Sequence, residues 1–378
     1  MKKVLSLLLC LILCLSTLGA CAQPGNDASQ TPAPNSVQPA ASLAAPATSL
    51  DQTTEGTWSF TDSAGREVDV PEHITRVAPS GATAQMLLLA LAPDMMVSLA
   101  SKFSEEAQEF LGDEYYNLPV IGQFYGSADL NLEEVAALDP QLVIDLGDTK
   151  ESIVEDMDNI SGSIGVPAVH IEATTYTMGT AFRTLGKVLG REAEAEVLAN
   201  YCETTLADIE DIMEQVGDER VRLLYCVGDT GLSVIPTGSF QGELLNLVSD
   251  NQAVVENPSS KGTGNEVDME QILQWDPDWI LFAPDSIYDT VLEEPAWREL
   301  TAIKSGNFYK VPFGPYNWMG FPPSVNRYLG MLWTVKLFYP DHADYDLYEK
   351  VEEYFDLFYH SAITPEQFGR LTQDSLPQ

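Results

Sequence analysis

Two stretches of this chain share one design: Leu130–Ile144, LNLEEVAALDPQLVI, and Val267–Leu281, VDMEQILQWDPDWIL. Glu133 aligns with Glu270, Pro140 with Pro277 and Ile144 with Leu281, at a constant spacing of 137 residues. Each copy opens at capping-box spacing, Asn131 with Glu134 and Asp268 with Gln271. Leu132, Val135 and Ala136 in one copy, and Met269, Ile272 and Leu273 in the other, then recur at helical intervals. Asp139-Pro140 and Asp276-Pro277 close the helices, because the residue before proline is pushed out of the α region. The apolar runs that follow, LVI and WILF, suit strands covered on both faces, as in parallel sheets.

The repeat predicts two α/β lobes of similar design. Val77-Ala78-Pro79-Ser80 and VRLLYCVGDTG supply a further strand to each half, followed by the helical patterns QMLLLALA and GELLNLVSD. Between the halves, Val197, Leu198, Tyr201, Leu206, Ile209, Ile212, Met213 and Val216 keep one helical face. That predicts a rigid strut of 26 residues from Arg191 to Val216, roughly 39 Å long.

The ends set the compartment. Lys2 and Lys3 precede LSLLLCLILCLSTLG, a run too short to span a membrane comfortably, and it reads as a signal peptide over residues 1–20. Leu18-Gly19-Ala20-Cys21 has the form of a lipobox, which makes Cys21 the expected lipidation site. Residues 21–56, rich in Ala, Pro, Ser, Gln and Thr, lack apolar periodicity and read as a disordered tether. The expected folded parts are residues 57–172, an interlobe helical segment at 173–217, and residues 218–378. The formal net charge of −38 argues against nucleic acid, which needs clustered cations. Cys202 and Cys226 have no metal-site spacing; they can pair in an oxidising compartment or stay as buried thiols.

The lipobox, the tether, TDSAGREVDVPEHITRVAPS, the two DP repeats and LGREAEAEVLANY together resemble the iron-complex group of ABC-transporter substrate-binding lipoproteins. PAWRELTAIKSGNFYKVP and PPSVNRYLGMLWTVKLFYPD extend the likeness, which runs from about Thr57 to His360. The resemblance implies a class III periplasmic-binding-protein fold: two Rossmann-like lobes, one long connecting helix, and a ligand cleft between them. It also implies an extracytoplasmic, lipid-anchored monomer that delivers cargo to an ABC permease and its ATPase. The expected cargo is a metal complex (ferric siderophore, haem or cobalamin), with molybdate or tungstate as the alternative and no cofactor of the protein's own.

Ligands in open α/β sheets gather beyond the carboxyl ends of strands. This gives the cleft candidates Ser80, Gly81, Lys102, Phe103, Tyr125, Gly126 and Asp148 in the first lobe, and Asp229, Thr230, Phe240 and Asp285 in the second. The loop GPYNWMGFPPSVNR adds Tyr316, Asn317, Trp318 and Arg327. Its aromatics can stack on a planar ligand or cap the core, and Arg327 can bind an oxyanion or make a structural salt bridge. Trp275 and Trp297 are read as packing residues. Permease docking in the family uses an acidic residue on each lobe. Glu243 falls at such a position, whereas the first lobe offers only Gln85.

Other classes leave little trace. His73, His170, His342 and His360 form no metal-ligand pattern, and no G-x-S-x-G, H-E-x-x-H, P-loop or G-x-G-x-x-G motif occurs. A surface scaffold or adhesin on the same fold, or an uncharacterised hydrolase, are the alternatives from other classes.

Overall fold

The computed structural model describes residues 56–124, 130–259 and 261–377. The expected signal segment, Cys21 and the tether as far as residue 55 lie outside them, as do Tyr125 and Gly126.

The first lobe begins with an antiparallel hairpin, β1 (Thr57–Thr61) and β2 (Glu67–Pro71). Strand β3 (Val77–Pro79) leads into α1 (Ala82–Leu91), and a short α2 (Asp113–Tyr116) follows. The first DP copy forms α3 (Leu132–Leu138) and β4 (Leu142–Gly147), and α4 (Ile153–Ile164) then returns the chain to β5 (Ala168–Glu172). The strands make a parallel sheet in the order β3-β4-β5.

Helices α5 (Met178–Leu189) and α6 (Glu192–Val216) connect the lobes. Gly190 ends α5 in the left-handed region, and a Cβ on Gly186 would lie 2.4 Å from that of Ala195, so the two helices touch at glycine. Helix α6 has 25 residues, about 37 Å at 1.5 Å per residue. Its buried face includes Leu198, Tyr201, Ile209, Met213 and Val216, as the periodicity predicts, together with Ala195, Ala199 and Cys202. Val197, expected on that face, is exposed: it falls one step outside the buried stripe.

The second lobe contains β6 (Arg222–Val227), β7 (Ser233–Val234), α7 (Glu243–Val248), β8 (Asp250–Asn251) and β9 (Asn265–Glu266). The second DP copy forms α8 (Met269–Trp275) and β10 (Trp279–Phe282), followed by α9 (Thr301–Ser305) and β11 (Phe308–Lys310). Strands β11, β10, β6 and β8 are parallel, whereas β7 and β9 continue the sheet in antiparallel pairing. Helices α10 (Asn326–Phe338), α11 (Leu347–Tyr359) and α12 (Pro365–Thr372) complete the chain.

The repeat folds as its residues predict. Asn131 Oδ1 accepts from the Glu134 amide at 3.2 Å, and Asp268 Oδ1 from that of Gln271 at 2.8 Å. Asp139 and Asp276 end their helices with φ of 48° and 37°, a left-handed conformation that aspartate tolerates better than most residues. An arginine reads each turn: Arg76 Nε donates to the Asp139 carbonyl at 2.7 Å, and Arg222 Nη1 to the Asp276 carbonyl at 3.1 Å.

The C-terminal helices pack back across the molecule. Helix α11 lies against α1, where His360 Nε2 contacts the Leu89 carbonyl at 3.0 Å, and Arg370 of α12 pairs with Glu109. One continuous apolar core therefore runs through both lobes, from Leu88 and Phe182 to Trp318, Trp333 and Phe355. Cys202 and Cys226 are buried, free thiols, and burial pushes both well above the ordinary thiol range. Among the described residues no helix is long and apolar enough to cross a membrane.

Candidate ligand-binding cleft

The carboxyl ends of β3 and β4 open onto a chamber of about 240 Å³. Ser80, Gly81, Ala82 and Thr83 form one side, and Asp145, Gly147, Asp148 and Lys150 the other. The second lobe closes it with Phe240, Gln241, Pro322 and Pro323, so the chamber lies between lobes, as strand polarity predicts. Helix α1 starts at its edge with extended Gly81 as N-cap, no side-chain cap and no acidic residue in its first turn. The first amides of a helix have no carbonyl partner within it, and together with the macrodipole they favour an anion.

A chain of polar side chains underlies this chamber. The Ser80 hydroxyl donates to Asp145 Oδ1, and Asp145 Oδ2 lies 2.7 Å from His170 Nδ1. His170 Nε2 is 3.0 Å from the Thr149 hydroxyl. Ser80, Asp145 and His170 are buried, and Thr149 reaches solvent.

A larger chamber of about 750 Å³ adjoins the ends of β6 and β10. Tyr225, Gly228, Ala283, Asp285, Asn317 and Phe321 line it, with Glu106 contributed by the first lobe and Glu266 by β9. Asn317 Nδ2 donates to the Tyr225 hydroxyl at 3.2 Å. Phe321 faces this larger space while Pro322 and Pro323 face the smaller one, so this loop divides the cleft.

Of the expected cleft residues, Ser80, Gly81, Asp148 and Phe240 line the small chamber, and Asp285 and Asn317 the large one. The others are placed elsewhere. Trp318 is fully buried, with Nε1 donating to the Gly314 carbonyl at 3.3 Å. A Cβ on Gly330 would lie 2.3 Å from the Trp318 carbonyl oxygen, so α10 packs directly on this loop and drives the tryptophan inward. Tyr316 and Phe103 meet edge to face at 5.8 Å in the core, where burial raises the Tyr316 phenol well above its usual range. Neither ring is available for stacking on a ligand. Lys102, Asp229 and Thr230 are exposed and border neither chamber, because their loops turn outward after the strands.

Arg327 is also a structural residue. Its guanidinium is 1 % exposed and stacks on Phe240 at 4.5 Å. Nη1 donates to Glu243 Oε2 at 2.6 Å and to Thr175 Oγ1 at 2.9 Å, and Nη2 donates to the Phe240 carbonyl. Burial pulls this guanidinium below its ordinary range, while Glu243 and, more weakly, Asp148 oppose the shift. Glu243 also accepts from the Thr175 hydroxyl at 2.8 Å, which turns it inward to the connection between β5 and α5. A carboxylate held this way is not a free docking group. Gln85 is fully buried: its Oε1 accepts from the Ala100 and Ser101 amides and its Nε2 donates to Tyr316, so it cannot reach a partner protein. Trp297 packs in the second-lobe core, with Trp275 against its edge.

Sequence reasoning missed Asp145, His170 and Gln241 in the small chamber and its support. The signal for the first two was present: each is a polar residue with apolar neighbours on both sides in its strand. Among the described residues, no group of three or more His, Cys, Asp or Glu is placed to hold a metal ion.

Comparison with known proteins extends the resemblance. The family model described as periplasmic binding protein matches residues 86–314. An ABC transporter solute-binding protein from Sulfurospirillum deleyianum superposes with a TM-score of 0.76 at 28 % identity, covering 83 % of this chain and 99 % of that one. The molybdate-binding protein MolA of Haemophilus influenzae is 25 % identical over 343 residues, 82 % of this chain and 93 % of MolA. A structure of MolA bound to molybdate has the same fold, with a TM-score of 0.66 at 19 % identity, covering 82 % of this chain and 99 % of that one.

Proposed function

The chain belongs to the periplasmic binding protein family, the extracytoplasmic substrate-binding components of ABC importers, and we propose that its cargo is a tetrahedral oxyanion of the molybdate or tungstate type. The observation that carries this reading is the small interlobe chamber at the uncapped start of α1. Its volume of about 240 Å³ suits a compact ion and falls below the roughly 300–1,000 Å³ of most organic-ligand pockets. The first-turn amides of α1, the Thr83 hydroxyl and Lys150 supply the donors and charge an oxyanion needs. Similarity to MolA over most of both chains points the same way.

The metal-complex reading draws on the larger chamber, whose 750 Å³ and aromatic lining by Tyr225, Phe313 and Phe321 would admit a chelate. It loses the stacking role expected of Tyr316 and Trp318, which are core residues. The small chamber therefore favours the oxyanion. The lipobox-like sequence at Cys21 supports attachment to the membrane through lipid, with the tether holding the folded part clear of the surface.

Thermal-shift screening of purified protein against molybdate, tungstate, sulfate, a ferric catecholate, haem and cobalamin tests the proposal. Saturable stabilisation by molybdate and tungstate is the expected result. Stabilisation by one of the chelates alone would transfer the assignment to the larger chamber.

A further inference from the structure

An anion entering the small chamber approaches Asp145, a carboxylate in its wall. That carboxylate is engaged on both sides, by the Ser80 hydroxyl at Oδ1 and by His170 Nδ1 at Oδ2. With its proton directed to Asp145, Ser80 can offer the chamber only lone pairs. To donate to an oxyanion, Ser80 must rotate its proton away from Asp145, leaving two negative groups facing each other across the chamber.

The geometry points to a resolution: oxyanion capture is coupled to uptake of a proton by His170, with Asp145 as the group that senses the ligand. This inference rests on the oxyanion reading above. His170 can keep its Nδ1 proton on Asp145 throughout. Neutral imidazole accepts at Nε2 from the Thr149 hydroxyl; imidazolium donates to the same oxygen, so a hydroxyl partner serves both states. The proton comes from bulk water by way of Nε2, beside exposed Thr149, and no covalent bond is made or broken. The new positive charge then lies against Asp145 as Ser80 turns to the anion.

The surroundings leave this pair its own charge balance. Asp62 accepts from the His170 backbone amide at 3.3 Å, but its charge is met by Arg66 at 2.9 Å, which also pairs with Asp158 of α4. On the chamber side, Asp148 and Lys150 follow β4 as one charge of each sign. His170 Nδ1 lies 2.7 Å from Asp145 Oδ2, so a positive charge on this ring would meet the carboxylate at contact distance.

Calorimetric titration of the full chain with sodium molybdate at pH 7.5, in buffers of different ionisation enthalpy, reads the coupling directly. The expected slope of observed enthalpy against buffer enthalpy corresponds to uptake of up to about one proton per anion. His170→Gln should bring that slope to zero, and Thr149→Val should reduce it, with folding checked by circular dichroism. If His170→Gln does not fold, the wild-type slope and the Thr149→Val comparison still decide. Molybdate binding without buffer dependence in the wild type would overturn the coupling and leave the oxyanion reading intact. Undiminished uptake in His170→Gln would overturn the assignment to His170. The absence of binding heat in every buffer, with no effect of molybdate on melting temperature, would overturn both.

Discussion

The two lobes share a strand-and-helix framework but finish it in opposite ways. In each, an arginine beside the first strand donates to the carbonyl of a left-handed aspartate, and the residue two after that aspartate returns a backbone bond: Gln141 to Arg76 and Asp278 to Arg222. They diverge where their first strands end. Strand β3 passes through Ser80-Gly81 directly into α1, whose start is uncapped at the small chamber. Strand β6 instead turns back into β7, and α7 begins only at Glu243, an acidic residue in its own first turn, held by Arg327 and Thr175. Similar frameworks thus give one helix start that borders a chamber and another whose first residue is tied to the protein's own arginine.

If the second lobe's loop is core rather than binding surface, Trp318→Ala should cost about 3–5 kcal/mol in urea unfolding. A loss of affinity in the still-folded variant without loss of stability would return Trp318 to the ligand. Removing the cation that pairs with Glu243, Arg327→Ala, should cost about 3 kcal/mol, because Glu243 would keep a partly buried charge without its partner. Adding Glu243→Gln should recover part of that loss, and a double-mutant cycle measures the recovery.

The reverse change makes the first lobe imitate the second. Thr83→Glu places a carboxylate in the first turn of α1 and should weaken molybdate binding by about 100-fold, roughly 2.7 kcal/mol, with little change in melting temperature. Unaltered affinity would mean that the anion does not sit at this helix start. The smallest effects test the shared framework: Asn131→Ala and Asp268→Ala should each cost about 1 kcal/mol as lost N-caps. Markedly unequal costs would show that the two copies do not carry the same load in folding.

Local rules made the framework readable. Caps, proline stops and buried strands are decided by neighbours within a few residues, so the DP units and the long α6 follow from the sequence alone. The antiparallel β7 and β9 are two-residue strands, too short to leave a periodic signal. The cleft was only half legible. Ser80, Gly81, Asp148 and Asp285 follow from strand polarity, which places strand ends at the interface. Tyr316 and Trp318 sit in a Gly- and Pro-rich loop whose composition suggests exposure, yet Gly330 lets α10 press it into the core. Arg327 and Glu243 meet across 84 residues of sequence, and that separation gives no sequence-level warning that each neutralises the other. Asp145 and His170 were visible only as polar interruptions in apolar strands. Their partnership depends on the pairing of β4 with β5, which sets Asp145 directly beside His170.

The oxyanion proposal requires the start of α1 to hold the cargo and its counterpart in the second lobe not to. Crystals grown with tungstate, with the metal located by anomalous scattering, test this most directly. The expected result is one strong tungsten position in the small chamber, with tungstate oxygens within hydrogen-bonding reach of the Ala82 and Thr83 amides. Tungsten in the larger chamber beside Tyr225 and Asp285, with the small chamber empty, would contradict it.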